Sequence, residues 1–354
     1  MRALRTDGST IHQVHDAAEP SAGLGEALIQ PTRVLLTAAD AKVATATREF
    51  RGTLGHLFTG VVRQINLDGN VSSSMSVKRG LLGRRVVVSP VVSCGNCDLC
   101  RSGLSSHCRS RQVAGIFGRD GACADLTVMP LSNLFAIPDT LPDERAVFAP
   151  LVASALHTAH MLRAESRAYV TVLGDSLLAV LAAQVLATRN KTVRLLTENA
   201  DAGRICEQMG VRHRSPGDPG RRQDQDAVVD CTGTAAGLRL AMQLTKPRGI
   251  IMLKSLIADL PFPAGKPFPQ AEGDWSDGVD LTPVAANELQ VIGSREGPLP
   301  EAIAELAAGT VDVSGLVGRR FRLEQGAAAV AAAASSGPLA VLVEDLGKIA
   351  TKAA

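Results

Sequence analysis

The sequence has no excess of charge of either sign: 37 lysines and arginines face 35 aspartates and glutamates, a formal net charge of +2. Without a basic footprint, a nucleic-acid partner is disfavoured. The pairs Arg84-Arg85, Arg221-Arg222 and Arg319-Arg320 are isolated and read as solvated surface. Long apolar runs are missing too. The longest candidate, Leu177 to Ala187, falls short of the roughly 20 residues a membrane span needs and reads as a core helix. Met1-Arg2-Ala3-Leu4-Arg5 carries no apolar h-region, so no signal peptide is expected. Aromatic residues make up only 3 % of a chain that is 45 % hydrophobic and 20 % charged. These figures point to a soluble, cytoplasmic globular protein, and 354 residues suggest about two domains.

A disulfide framework is also absent. The seven cysteines are odd in number, and four fall in Cys94-Gly-Asn-Cys97-Asp-Leu-Cys100 followed by Cys108, a C-x2-C-x2-C-x7-C spacing. One compact loop of this kind gives a soft tetrahedral ion such as zinc four thiolates at about 2.3 Å. A closed shell leaves no open coordination position, so the predicted role is to hold a loop. A ferredoxin-like cluster has a shorter last gap and a proline after its fourth cysteine, whereas Arg109 follows Cys108. Four reduced thiols on a loop are the plainer alternative. Cys123, Cys206 and Cys231 lie apart and read as small buried hydrophobes.

Residues 1 to about 150 alternate short apolar runs with glycine, proline and serine. Ala27-Leu28-Ile29, Gly60-Val61-Val62, Arg85 to Val88 and Leu126-Thr127-Val128 read as strands of a barrel-like β domain. The texture then changes. Asp143 to Met161 has helical periodicity, Tyr169 to Leu173 is a strand ending at Gly174, and Leu177 to Thr188 is a helix. The alternation continues with strands at Thr192 to Leu196, Ala227 to Asp230, Gly249 to Leu253 and Leu289 to Ile292. Helices at Asp201 to Met209 and Ala235 to Leu244 lie between them. This order predicts a parallel, doubly wound sheet. Further helices are expected at Glu301 to Ala308 and in the alanine run Ala327 to Ala334, then a closing strand at Ala340 to Val343. Leu260 to Pro283 is irregular, with five of the eighteen prolines and the sole tryptophan, Trp275. Such a segment is either functional or an ordinary insertion.

Together with the cysteine loop, Gly55-His56, Pro150-Leu151 and Val229-Asp230-Cys231-Thr232-Gly233 make the chain resemble the zinc-dependent medium-chain alcohol dehydrogenases over nearly its whole length. The resemblance implies an α/β protein with a GroES-like β-barrel domain and a Rossmann doubly wound domain. The expected boundaries are 1–145 for the first, 146–295 for the second, and 296–354 for a segment returning to the first. It also implies a cleft between domains, a homodimer or homotetramer, and a nicotinamide cofactor with a small alcohol or carbonyl substrate. Leu253-Lys254-Ser255 and Gly293-Ser294-Arg295 look most like the glucose and threonine dehydrogenase branch.

In that family a catalytic zinc on a cysteine, a histidine and a second cysteine or glutamate polarises the substrate oxygen during hydride transfer. The stretch matching Cys-x-Thr/Ser-Asp is Thr37-Ala38-Ala39-Asp40, Gly-His-Glu becomes Gly55-His56-Leu57, and Glu-Pro-Leu becomes Ala149-Pro150-Leu151. His56 is thus the sole recognisable ligand, and one imidazole does not hold zinc where three protein ligands are needed. The expectation is one structural zinc on Cys94, Cys97, Cys100 and Cys108, and no catalytic zinc. His56 and Asp40 then form a metal-free acid–base pair, with Thr37 or His56 hydrogen-bonding the substrate oxygen, or His56 is a leftover packing residue.

The Gly-x-Gly-x-x-Gly turn of dinucleotide-binding folds reads Gly174-Asp175-Ser176-Leu177-Leu178-Ala179. Ser176 places a side chain where phosphate approaches, and Asp175 adds negative charge near the helix N-terminus, so weakened binding is expected. The candidate cofactor residues are Gly174, Ser176, Leu177, Glu198 for the ribose, and Thr232. Glu198 favours NAD, whereas Arg194 speaks for NADP; the balance leans slightly to NAD. The expected activity is NAD(P)-dependent hydride transfer between an alcohol and a carbonyl compound. The alternative is a non-catalytic relative serving as a scaffold or partner-binding subunit, with the segment around Trp275 as a surface.

Overall fold

The computed structural model describes residues 1–46, 50–67, 78–190, 192–218, 222–254 and 279–347. Trp275, with the proline-rich segment up to residue 278, Ser255 and Arg221 lie outside these. In chain order the early strands are β1 (Ala3–Thr6), β2 (Ile11–Val14), β3 (Glu26–Leu36), β4 (Gly52–Thr53), β5 (Leu57–Asn66) and β6 (Arg85–Val88). After them come β7 (Val91–Val92), β8 (Gln112–Ala114), β9 (Gly118–Arg119), β10 (Thr127–Pro130) and β11 (Leu134–Ala136). The later strands are β12 (Val170–Leu173), β13 (Val193–Leu196), β14 (Arg212–Arg214), β15 (Gln225–Asp230), β16 (Thr245–Leu253) and β17 (Gln290–Gly293). The last two are β18 (Val317–Arg322) and β19 (Ala340–Glu344).

The helices are α1 (Ala38–Ala46), α2 (Asp98–Arg101), α3 (Asp143–Ala146), α4 (Ala149–Leu162) and α5 (Leu177–Ala187). Later come α6 (Ala200–Gln208), α7 (Ala235–Leu244), α8 (Thr282–Ala286), α9 (Leu299–Ala308) and α10 (Gly326–Ala334). One helix expected from Asp143 to Met161 is therefore two. Pro150 sits in the first turn of α4, where its missing N–H is tolerated, and it cannot carry on the preceding helix.

The two textures of the sequence become two kinds of sheet. The first is largely antiparallel, in the order β11-β6-β5-β3-β19-β18 with β10 also on β3. Residues 27, 29 and 31 of β3 are buried and their neighbours less so, the alternation of a half-covered strand. The second sheet is parallel, in the order β14-β13-β12-β15-β16-β17. Its central strands β12 and β15 are buried at every position, as parallel strands covered on both faces must be. This is the expected pair, a β-rich GroES-like lobe and a doubly wound Rossmann sheet.

Strand β19 pairs antiparallel with β3, Val341 opposite Leu36 and Val343 opposite Val34. Ala329, Val330, Val341 and Val343 share a buried cluster with Leu4, Ile29, Phe58 and Met129 of the first lobe. The alanine run is a helix, as its propensity suggests, burying Ala329, Val330, Ala332 and Ala333. A second cluster runs from Leu35, Leu57 and Val87 through Val152 and Leu156 of α4 to Val170 and Val172. Helix α4 thus joins the lobes through a shared apolar core.

Two of the paired arginines are not simply solvated. Arg85 meets Asp143 at 2.8 Å and Arg320 bridges to Glu144, so both fasten the first turn of α3 to the β lobe. No helix among the described residues is long and apolar enough to cross a membrane.

Candidate active site and metal centre

The C-x2-C-x2-C turn leads into α2, and a further turn returns the chain to Cys108. Their sulfurs all lie within 4.8 Å of one another. Cys97 Sγ is 3.5 Å from that of Cys100 and 4.0 Å from that of Cys108, and Cys94 Sγ is 3.9 Å from that of Cys100. A tetrahedral ion with bonds of about 2.3 Å needs sulfurs about 3.8 Å apart, so the donor set fits zinc. Backbone N–H groups also turn toward sulfur: Cys94 N donates to Cys108 Sγ at 3.3 Å. Those of Cys100 and Arg109 lower the Cys97 thiol to about 6, favouring thiolate, while burial raises Cys100 to about 11. An ion pair between Asp98 and Arg109, 2.8 Å, closes the loop. The lone cysteines are buried as expected, and burial pushes Cys206 and Cys231 up to about 12.

At the inter-lobe cleft, Thr37, Asp40 and His56 come together. Asp40 is fully buried at the start of α1. Its Oδ1 accepts from His56 Nδ1 at 2.8 Å, and its Oδ2 accepts from the Thr37 backbone N–H at 2.9 Å and hydroxyl at 3.2 Å. Gly55 allows this approach. Its φ is +94°, and a Cβ there would lie 2.8 Å from both Cys123 Sγ and Val34 Cγ1. The donor set does not fit a catalytic zinc. Thr37 spends its hydroxyl on Asp40, Leu57 and Ala149 are buried apolar residues, and Asp40 is committed to its two neighbours.

The candidate cofactor turn lies between β12 and α5. Gly174 has φ +128°, and a Cβ there would sit 3.2 Å from the Cys231 carbonyl carbon. Ser176 does not project freely toward an incoming phosphate: it is the N-cap of α5, its Oγ accepting from Ala179 N at 3.3 Å. Asp175 is engaged at the turn after β13 instead of at the first turn of α5. Its Oδ1 accepts from the Thr197 hydroxyl and from the N–H groups of Glu198, 3.0 Å, and Asn199, 3.3 Å. Glu198 is exposed and accepts from Ser215 Oγ at 3.1 Å. Arg194 lies on β13 beside this turn, its Nε donating to Thr171 Oγ1 within the sheet at 2.9 Å. Thr232 sits just past β15, its hydroxyl donating to Asp230 at 2.6 Å. Leu177 opens α5 and lines the cleft beside Ser176.

Two cavities meet at His56, Leu151 and Leu178. One, about 170 Å³, reaches Thr37, Ser176 and Gly337; the other, about 180 Å³, reaches Ser154, Lys254 and Glu296. Glu296 Oε2 is buried on this wall without a hydrogen-bond partner among the described residues. Lys254, read in the sequence only as part of a short resemblance, is a cleft residue. Burial lowers its amine to about 8. The available signal was a lysine directly after the apolar strand ending at Leu253.

Residues 23–139 match the family described as alcohol dehydrogenase GroES-like domain. The chain is 25 % identical over 345 residues to an L-threonine 3-dehydrogenase of Anaeromyxobacter dehalogenans, covering 92 % of each chain. It is 24 % identical over 298 residues to an L-idonate 5-dehydrogenase of Vitis vinifera, covering 77 % of this chain and 72 % of that one. An alcohol dehydrogenase of Escherichia coli CFT073, solved with NADH, superposes with a TM-score of 0.80 at 19 % identity, covering 97 % of this chain and 99 % of that one.

Proposed function

We propose, for a chain that belongs to the medium-chain dehydrogenase/reductase superfamily, an NAD(P)-dependent oxidoreductase that moves hydride between an alcohol and a carbonyl compound. The observation that carries this reading is the strand order β14-β13-β12-β15-β16-β17, with Gly174 and α5 at its reversal point and His56 on the adjoining cleft wall. Ligands of doubly wound sheets bind in that crevice.

A nicotinamide held here would supply or take the hydride. Gly174, Ser176 and Leu177 would hold the pyrophosphate at the N-terminus of α5, Glu198 would take the ribose hydroxyls, and Thr232 would line the floor between them. Asp40 accepts the Nδ1 proton of His56, which makes Nε2 the ring atom that exchanges a proton with the substrate oxygen. Thr37 is a positioning residue, because its hydroxyl and N–H orient Asp40. One structural zinc on the four cysteines holds the lobe beside the cleft and takes no part in the chemistry. No catalytic zinc enters this reading.

Homodimers or homotetramers and a cytoplasmic setting are part of the same proposal. What supports pairing of copies is the outer position of β17 in its sheet, with Val291 and nearby Leu281 exposed. No specific observation favours a scaffold without turnover. The test is an assay of zinc-loaded protein with NADH or NADPH and a panel of small aldehydes and ketones. Turnover that falls at least about 100-fold in His56→Ala is expected. No loss of reduced-nicotinamide absorbance with any pairing would sink the proposal.

A further inference from the structure

Lys254 is a lysine only 4 % exposed, just past β16. Its ammonium donates to Ser154 O at 2.7 Å, Arg295 O at 2.8 Å and Ser294 Oγ at 3.2 Å. The Ser294 carbonyl oxygen lies at 3.4 Å, so all four acceptors are uncharged and the cation is held in place without being neutralised. Its charged neighbours do not cancel it. Arg295 and Glu296 pair with each other at 2.7 Å. Burial and the Lys254 charge lower His157 on α4 toward the neutral form, and burial keeps Cys231 a thiol. One net positive charge therefore lies on the wall of the cavity that His56 also lines.

The strand order reverses between β12 and β15. A dinucleotide lies across such a reversal, one half over each set of strands. The ribose acid Glu198 lies just past β13, which assigns the adenosine half to β12–β14 and the nicotinamide half to β15 and β16. Lys254 is on the nicotinamide side.

Resting on the nicotinamide-dependent reading, we propose that Lys254 sets the redox preference of the site: its fixed charge favours the reduced, uncharged nicotinamide over the oxidised, cationic one. Such a preference raises the reduction potential of the bound cofactor. In the oxidative direction it favours, the alcohol carbon would give its hydride to the nicotinamide and the alcohol oxygen its proton to His56, leaving the carbonyl compound and the reduced nicotinamide.

Calorimetric titration of the full-length, zinc-loaded protein with NADH, NAD⁺, NADPH and NADP⁺ at neutral pH tests this in wild type, Lys254→Gln and Lys254→Arg. The glutamine variant keeps an N–H donor for the carbonyl oxygens and removes the charge; the arginine variant keeps the charge. The ratio of oxidised to reduced dissociation constants is expected to fall about tenfold in Lys254→Gln and to persist in Lys254→Arg, the scale of one unit charge acting across several ångströms of protein. An equal ratio in all three overturns the proposal and leaves the cofactor reading standing. Failure of all four nucleotides to bind wild type overturns both. Should Lys254→Gln not fold, the wild-type ratio from about pH 7 to about pH 9.5 decides. A ratio that falls as the amine discharges supports the proposal, and a constant one overturns it.

Discussion

The cysteine lobe and the inter-lobe cleft use their polar groups in opposite ways. In the lobe, four sulfurs converge to tetrahedral spacing and backbone N–H groups point at them, so the donors are arranged for an ion. In the cleft, apart from Glu296 Oε2, the polar groups named above bind one another. Asp40 holds Thr37 and His56, Ser176 caps its own helix, Asp175 caps the neighbouring turn, and Lys254 sits on carbonyl oxygens. The lobe is preorganised around something other than protein, whereas a ligand entering the cleft competes with bonds already made. The same fold therefore carries one centre whose stability depends on its ligand and another whose affinity is limited by internal satisfaction.

Removing the ion attacks the first half of this contrast and should have the largest effect. Chelation, or Cys97→Ser with Cys100→Ser, is expected to lower the calorimetric melting temperature by at least about 10 °C, since metal binding there contributes directly to folding. An unchanged transition would break the comparison. Next is Asp40→Ala, which leaves the Thr37 and His56 donors without their buried acceptor. A loss of about 3 kcal/mol in urea unfolding is expected, along with turnover about 100-fold lower. Asp40→Asn should lose turnover with much less stability, because one acceptor oxygen remains.

Lys254 sharpens the contrast through pH. Its amine titrates at about 8 in the fold against an ordinary 10.5. Between these values the unfolded chain binds more protons, so wild type gains stability as pH rises from about 8 to about 10.5, and the burial penalty is fully present below about 8. Measured against Lys254→Met, which does not titrate, the gain is on the order of 2–3 kcal/mol. A flat difference between neutral and alkaline pH would mean that the amine is not desolvated. The smallest expected effect is that of Ser176→Gly. It frees the Ala179 N–H and removes a Cβ from the phosphate approach, so NADH should bind about 3- to 10-fold more tightly by calorimetry. Weaker binding would show that the serine hydroxyl is itself a phosphate ligand.

Much of the fold was legible in the sequence because it rests on periodicity. Ala235 to Leu244 is helical over that span, and β12, β15 and β16 were marked by short unbroken apolar runs. The misses are elements whose composition disguises them. Strand β14 is Arg-His-Arg and β18 carries three arginines, since exposed strands need no apolar pattern. The four cysteines were legible as a site because their spacing alone brings them together. The cleft was legible only as a list of residues. That Thr37 binds Asp40, that Ser176 turns back on α5, and that Lys254 lies under the wall depend on where side chains point, which sequence order does not encode.

The pairing of β19 with β3 has a consequence for how the molecule is made. The central strand of the β lobe, residues 26–36, waits for residues 340–344 before its hydrogen bonds with β19 can form. The Rossmann strands β12 to β16 find their partners within a much shorter stretch of chain. During synthesis the later-made lobe can therefore close first, while the earlier-made one stays incomplete with an unpaired strand edge exposed. That interval is when the nascent chain is most open to wrong strand pairing and most dependent on chaperones.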